Sequence, residues 1–368
     1  MDLLLALSAT VYLSRLAFFF TGQWRSRGAF PLQVTDLPRV SVVVPARNEQ
    51  ANIGACIESL IACDYPQHLL EIIVVNDRSI DDTGRIIDDL AAQHPWIRAV
   101  HRTEADAVAN LRGKPGALQA GIDQASGELL VLTDADCRVQ TGWIRTMVEP
   151  FADAGVGMVC SFTTVRRGNL FALIQDIEWL YTSGMAQSAN NNGKPLGCFG
   201  NNMALRASTF REIGGYRSIS FSVTEDLALL QAIRRAESRV AFICEPDSRV
   251  ETEPCTSIGE YLRQKQRWVQ GGLGLGWRGI TFAATSVIYW FGLAYSIVVA
   301  EPSWIVLFIC LRMVGDGMLI TNSALRLRRY YLLPAVAPTI LLLLLLELLL
   351  PVLALQKRVV WKGQTFGK

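Results

Sequence analysis

Between Arg39 and about Val250, short apolar runs alternate with helical stretches, and long apolar segments stand on either side of that region. β-rich runs at 40–44, 70–75, 97–101 and 128–133 predict strands, and the stretches near 50–62, 82–92 and 114–124 predict helices between them. Strands separated by helices of that length read as parallel strands joined by crossovers. The expected fold class is therefore α/β, a mostly parallel sheet with helices on both faces. Apolar runs at 156–160 and 239–243 predict further strands, with helices near 142–152, 168–187 and 225–236.

The flanks have a different character. Leu3 to Phe20 is apolar apart from Arg15, is followed by Arg25 and Arg27, and has no small-residue cleavage site, so it reads as an uncleaved anchor. Its basic flank places the following region in the cytoplasm. Ile258 to Trp268 reads as an amphipathic helix, with Tyr261, Leu262, Trp268 and Val269 set against Arg263, Lys265 and Arg267. Such a helix can lie in the membrane interface, aromatics at headgroup depth and cations on phosphates. Gly271 to Gly276 lacks the preceding strand and following acid of a dinucleotide fingerprint, and is expected to be a flexible interfacial loop.

Apolar spans follow at Ile280 to Ala300, Ser303 to Ile320 and Leu332 to Leu355, the first two split by a tight turn at Glu301 and Pro302. Arg312 and Asp316, four apart, could pair on one helix face, and the third span carries Pro334, Pro338, Glu347 and Pro351. Three full spans would put Lys357, Arg358, Lys362 and Lys368 outside, against the positive-inside tendency. Either the last segment is re-entrant or broken, or one span is interfacial; the expected C-terminus is cytoplasmic.

Composition agrees with membrane segments: 51% of the 368 residues are hydrophobic and only 18% are charged. A formal net charge of +2 gives no footprint for nucleic acid. The eight cysteines form no C-x-x-C pair, which points to reduced thiols rather than a zinc site or a disulfide framework. His68, His94 and His101 have no ligand spacing and read as surface or structural residues.

The candidate chemistry lies at strand ends. SVVVPARNE (41–49), IIVVNDRS (72–79) and LLVLTDAD (129–136) each carry acids at the end of a buried strand, where ligands bind in open α/β sheets. Asp134 and Asp136 bracket Ala135, so both carboxylates could face one cavity, an arrangement that is costly without a cation between them. Mg²⁺ or Mn²⁺, which take oxygen ligands from one or two carboxylates and from phosphates, suit such a pair. The ligand inferred is a nucleotide with a metal-bound diphosphate. No hydrolase elbow or Walker loop competes with this reading.

Taken together, Val44 to Glu49, Asn76 to Ser79, Thr133 to Asp136, Thr224-Glu225-Asp226 and Gln264 to Trp268 resemble, in order and interval, the inverting family 2 glycosyltransferases. The resemblance implies a GT-A-like fold with transmembrane helices at both ends. The implied organisation is a membrane anchor (1–24), a cytoplasmic catalytic domain (38–253), an interface segment with the Gln-x-x-Arg-Trp motif (254–279), a transmembrane region (280–356) and a basic tail (357–368).

The same resemblance implies roles. Pro45, Glu49 and Asp77 would line the base and ribose, Lys114 would reach the sugar nucleotide, Asp136 would bind the metal, and Asp134 would contact the metal, ribose or sugar. Asp226 would be the general base of an inverting transfer, with Glu225 pointing elsewhere on the helix in a structural or orienting role. Arg267 would hold the diphosphate, and Gln264 and Trp268 would serve the acceptor. Gly197 to Asn202 resembles the acceptor-side loop, with Gly200 and Asn201 at the acceptor.

Several of these residues also have plain structural readings. Asp77 could cap the helix near Asp82, Thr224 could cap the helix after it, Lys114 could be a loop cation, and Arg267 with Trp268 could be a membrane anchor.

The Gln-x-x-Arg-Trp motif is shared with processive synthases of the cellulose, chitin and hyaluronan type. The ending at 359–365, Val-Val-Trp-Lys-Gly-Gln-Thr, looks like the tail of bacterial enzymes that glycosylate carotenoid, hopanoid or other membrane lipids. The expectation is a multi-pass enzyme of the bacterial inner membrane, using a UDP-sugar donor and a lipid acceptor at the bilayer. Extension of a growing glycan is the alternative, and a non-catalytic nucleotide-sensing membrane subunit is the alternative of another class.

Overall fold

The computed structural model of the protein describes residues 2–25, 37–104, 108–355, 359–361 and 364–366. Helix α1 (Asp2–Arg25) precedes the alternating region β1 (Val40–Ala46), α2 (Ile53–Ile61), β2 (Leu70–Asp77), α3 (Thr83–Gln93), β3 (Ile97–Arg102), α4 (Lys114–Ile122) and β4 (Leu129–Leu132). Next come β5 (Cys137–Val139), α5 (Trp143–Val148), β6 (Val156–Cys160), β7 (Thr163–Val165), α6 (Leu170–Asn191) and β8 (Met203–Arg206). The remainder is α7 (Ala207–Glu212), α8 (Gly215–Ser218), α9 (Glu225–Arg235), β9 (Arg239–Phe242), β10 (Val250–Thr252), α10 (Ile258–Gly272), α11 (Trp277–Val298), α12 (Pro302–Arg326), α13 (Val336–Leu355) and the antiparallel pair β11 (Val359–Trp361) and β12 (Gln364–Phe366).

Seven strands form the main sheet in the order β3-β2-β1-β4-β8-β6-β9. β8 alone runs against its neighbours, so the sheet is mixed with one reversed strand. The β-branched runs explain the strands, because branched side chains pack well on a pleated surface. Alternate residues of β1 face opposite ways: Val42 and Val44 pack with Ile57, Leu60 and Trp143, whereas Val43 packs with Ile73, Leu118 and Ile122. Each such fully buried aliphatic side chain contributes roughly 1.5–3 kcal/mol. A small sheet, β5-β10-β7, lies beyond the end of β4. Its three-residue strands are too short for a periodic signal and had no counterpart in the sequence reading.

Among the described residues four helices are long and apolar enough to cross a membrane: α1, α11, α12 and the segment Tyr330–Leu355 containing α13. α1 is bound to α6, Asn191 and Asn192 donating side-chain N–H groups to the carbonyls of Gly22 and Phe18 at 3.1 and 2.6 Å. α12 runs six residues past the expected end at Ile320. Just beyond it, Arg329 donates to Asp176 of α6 at 2.6 Å and to Glu251 at 2.9 Å. At the other end of α13, Gln270 of α10 donates to the Ala354 carbonyl at 2.7 Å. The two ends of the last apolar segment are therefore tied to α6 and α10. The basic residues Lys357, Arg358, Lys362 and Lys368 fall outside the described residues.

One expectation is corrected. Gly271 to Gly276 is not a loop: α10 continues to Gly272, a 3-10 turn covers Leu273–Leu275, and Gly276 (φ 59°) starts α11. Tertiary contact supplies the reason, since a Cβ on Gly271 would stand 2.0 Å from Thr224 Oγ1. The glycine permits α10 to press against the start of α9.

Candidate active site

β1, β2 and β4 are parallel, so their C-terminal ends deliver Pro45 to Glu49, Asp77 and Asp134 to Asp136 to one edge of the sheet. Opposite that edge stand the loop before β8, the start of α9, and α10. A cavity of about 1210 Å³ separates them, and every site residue singled out from the sequence lines it. The cavity continues between α11 and α13, along Ile280, Ala283, Leu343 and Leu350.

Asp77, at the end of β2, is buried. Its Oδ1 accepts from Arg78 Nε and Arg102 Nη1, both at 2.9 Å. It does not cap α3; Asp81, ahead of the cap position Asp82, accepts from the Thr83 amide at 3.1 Å. Glu49 is also buried and accepts from Asn52 Nδ2 at 2.9 Å.

Lys114, at the start of α4, is not a solvated loop cation. Its Nζ lies 2.7 Å from Asp134 Oδ1 and 2.9 Å from Glu225 Oε1. Burial alone would lower its pKa, but the two carboxylates outweigh burial and hold it well above the ordinary lysine value. Glu225, expected on another side of its helix, lines the same cavity and is half of this bridge.

Asp226 accepts the Gly200 amide on Oδ2 and the Leu227 amide on Oδ1, each at 2.8 Å. Burial and then the neighbouring Glu225 push its carboxyl up to about 6, against the pull of Lys114 and the two amides. Thr224 sits at the cap position without a side-chain cap bond; its hydroxyl is 3.3 Å from Ser222 Oγ. At Gly200 a Cβ would meet Glu225 Oε1 at 3.0 Å and Lys114 Nζ at 3.1 Å. That glycine lets the loop before β8 approach the acid–lysine cluster.

Asn201 has its side chain turned into the protein, Oδ1 accepting from Thr163 at 2.8 Å and Nδ2 lying 3.5 Å from Cys137 Sγ. On α10, capped by Ser257 through the Glu260 amide, Gln264, Arg267 and Trp268 share one face toward the cavity. Gln264 Oε1 is buried with no hydrogen-bond partner among the described residues. Arg267 has no carboxylate partner among them, leaving its guanidinium for an anion. Trp268 is no lone anchor: its ring meets Trp179 edge-on at 4.9 Å and Phe199 at 6.2 Å.

Lys265, expected to reach lipid phosphates, is instead buried. Its Nζ stands 3.8 Å from the Trp268 ring centre and 2.8 Å from Glu178 Oε2. Burial lowers its pKa, with Glu178 opposing. Glu178 and Trp179 of α6 had not been singled out. The available signal was an acid inside the apolar stretch Ile177-Glu178-Trp179-Leu180.

Asp134 and Asp136 both line the cavity, and Asp136 Oδ1 is 3.4 Å from Cys137 Sγ. Among the described residues no three His, Cys, Asp or Glu side chains gather as a metal-binding group. Asp134 and Asp136 present carboxylate oxygens to this cavity, the donor type that a hard divalent ion takes together with phosphate and water. All eight cysteines are free, and the three histidines lie outside the cavity lining.

Residues 38–271 match the family described as Glycosyltransferase like family 2. The chain is 28% identical over 237 residues to the beta-monoglucosyldiacylglycerol synthase of Synechocystis sp., covering 64% of this chain and 48% of that protein. It is 26% identical over 236 residues to a poly-beta-1,6-N-acetyl-D-glucosamine synthase of Staphylococcus epidermidis, covering 63% and 54%. The chain spans about half the length of the curated relatives it matches. A solved mannosyltransferase of Pyrobaculum calidifontis, in complex with GDP-Man and Mn²⁺, shares the fold with a TM-score of 0.61 and 21% identity, over 94% of this chain and 98% of that one. The GT-A-like architecture expected from the sequence is the one observed.

Proposed function

Because the chain belongs to glycosyltransferase-like family 2, we propose that it is an inverting enzyme moving a hexose or N-acetylhexosamine from a nucleotide-diphosphate sugar, a UDP-sugar, to a membrane lipid. The observation that carries this reading is one cavity lined at one end by Asp77, Asp134, Asp136, Asp226 and Arg267 and at the other by apolar residues of α11 and α13. At about 1210 Å³ it exceeds the range of about 300–1,000 Å³ usual for a single small ligand, leaving room for donor and acceptor together.

In this mechanism Pro45, Glu49 and Asp77 hold the base and ribose, and Lys114 and Asp134 face the sugar. Asp136 and Asp134 hold Mg²⁺ or Mn²⁺, which neutralises diphosphate charge when bound. Arg267 pairs with the diphosphate oxygens as the bond to the anomeric carbon breaks. The acceptor hydroxyl attacks that carbon from the opposite face, and Asp226 takes its proton. A carboxyl at about 6 is largely ionised at neutral pH yet basic enough to accept it. Gln264 and Trp268 border the acceptor, and Gly200 positions the base through its amide.

The reading places the enzyme in the inner membrane, with the sheet domain and the end of α13 on the cytoplasmic side. Support for that side comes from Arg329 and Ala354, which tie both ends of the last apolar segment to α6 and α10.

The test uses full-length protein in phospholipid nanodiscs with UDP-sugars, Mn²⁺ and membrane lipid extract. Glycolipid formed by the wild type and lost in Asp226→Asn, with donor affinity retained, is the expected result. Long glycan chains as product would favour the synthase alternative. Full activity of Asp226→Asn would remove the base assignment, and nucleotide-sugar binding by the wild type without any sugar transfer would favour the non-catalytic nucleotide-sensing subunit.

A further inference from the structure

Glu178 of α6 and Lys265 of α10 have no role in the transfer described above, yet they meet in the cavity wall at only 6% and 2% exposure. One carboxylate oxygen, Glu178 Oε2, lies 2.8 Å from Lys265 Nζ and accepts from the Tyr261 hydroxyl at 2.6 Å. The ammonium stands 3.8 Å from the centre of the Trp268 ring and 4.6 Å from that of Tyr261. Tyr261, Lys265 and Trp268 are spaced i, i+4, i+7 and form one stripe of α10, turned toward Glu178 and Trp179 of α6. Contacts lead from that stripe to the base. The Trp179 ring lies 4.9 Å from both Trp268 and Phe199, and the residue after Phe199 is Gly200, whose amide donates to Asp226.

Stability does not account for the pair. Desolvating an ammonium and a carboxylate offsets most of their attraction, and apolar residues of similar volume in their place are often neutral or stabilising. What apolar residues lack is direction. Hydrophobic burial is non-directional, whereas an ammonium held by a carboxylate over one face of an indole favours one ring orientation.

We propose that Glu178 and Lys265 are positioning residues, which hold the Trp268 ring against Trp179 and Phe199 and so fix the acceptor side of the cavity relative to the Asp226 loop. This rests on the acceptor-side reading of Trp268 and deepens it. Their effect falls on acceptor use, while Pro45, Glu49, Asp77 and Asp134, supplied by other elements, keep the donor.

The experiment uses the full chain in phospholipid nanodiscs, with membrane lipid extract as acceptor and UDP with Mn²⁺ as the donor-site probe. The variant Glu178→Leu/Lys265→Met/Tyr261→Phe removes both charges and leaves no buried hydroxyl without its acceptor. It should keep the wild-type melting temperature and UDP affinity while KM for the lipid extract rises about ten- to thirtyfold, the scale of one desolvated cation–π contact. In protein labelled with fluorotryptophan, the Trp268 line in the fluorine NMR spectrum, assigned through Trp268→Phe, should be single in the wild type and broadened or split in the variant. Combined with Trp268→Ala, the triple change should add little further to KM, because both act through one ring. Lys265→Gln keeps a donor for Glu178, removes the cation over the ring, and should move the same line and the same KM.

A Trp268 line and a lipid KM unmoved in both variants overturn the proposal. So do equal losses of UDP binding and lipid use, which mark a displaced α10, and losses strictly additive with Trp268→Ala. A wild type that forms no glycolipid, with its single Trp268 line still lost in the variants, overturns the lipid-acceptor reading and leaves the positioning of the ring in place.

Discussion

In the proposed mechanism Lys114 sets the pH range in which Asp226 acts as the base, and replacing it should move that range. Lys114 Nζ and Asp226 Cβ lie 3.1 and 3.2 Å from the point where a Gly200 Cβ would sit, so they are close neighbours. At a separation of about 6 Å and an effective dielectric constant of about 20, the attraction is roughly 3 kcal/mol, equivalent to about two pKa units. Partial solvent exposure reduces this to about one unit.

The wild-type carboxyl, pushed up to about 6, gives an acid limb in kcat/KM near that pH. Lys114→Met should move the limb upward by about one to two pH units. The sign for stability is opposite to that for activity. The folded pKa of this acid is raised from 3.8, so ionisation of Asp226 costs stability as pH rises through about 6, while the same ionisation creates the base. The assay is the pH dependence of kcat/KM for glycolipid formation in nanodiscs. Loss of donor contact by Lys114 would lower the height of the profile without moving its limb. A limb at the same pH in both proteins would refute the coupling, and a wild-type profile flat between pH 5 and 8 would refute the base.

Asp136→Asn should abolish the Mn²⁺-dependent part of nucleotide-sugar binding in calorimetry, and unchanged metal dependence would exclude it as a ligand. Gly271→Ala should destabilise by about 1–3 kcal/mol, because its Cβ would stand 2.0 Å from Thr224 Oγ1. Adding Thr224→Gly should recover most of the loss in melting temperature, and strictly additive losses would show that the contact is not the cause. Arg329→Ala leaves Asp176 buried without its cation, with only the Val165 amide and the Tyr331 hydroxyl still donating to it, and should cost about 3–5 kcal/mol. Thermal unfolding tests it, the paired Arg329→Met/Asp176→Leu change being milder than the single one.

Much of the fold was legible because its signals are local. The apolar runs that became β1, β2 and β4 alternate with helices, and that alternation specifies parallel neighbours. The strand-end positions of Asp77, Asp134 and Asp136 then follow from connectivity. The three-residue strands β5, β7 and β10 were invisible because they hold together through partners far along the chain. Gly271 to Gly276 was misread for a related reason: glycines signal flexibility locally, but here one of them accommodates Thr224 across a helix contact. Lys265 was placed on a polar face by periodicity, yet Glu178, 87 positions earlier, draws it under Trp268.

The amino-acid order by itself determined that acids would stand at the ends of parallel strands and that apolar helices would flank them, since periods of 2 and 3.6 and strand connectivity are properties of neighbours along the chain. Which charges would meet was decided by the tertiary structure. Lys114 bridging Asp134 and Glu225, Asp226 raised beside them, and Arg312 pairing with Glu347 between α12 and α13 all depend on segments far apart in sequence closing on one another. Electrostatic energy depends on distance and burial in space, and no pattern along the chain specifies either.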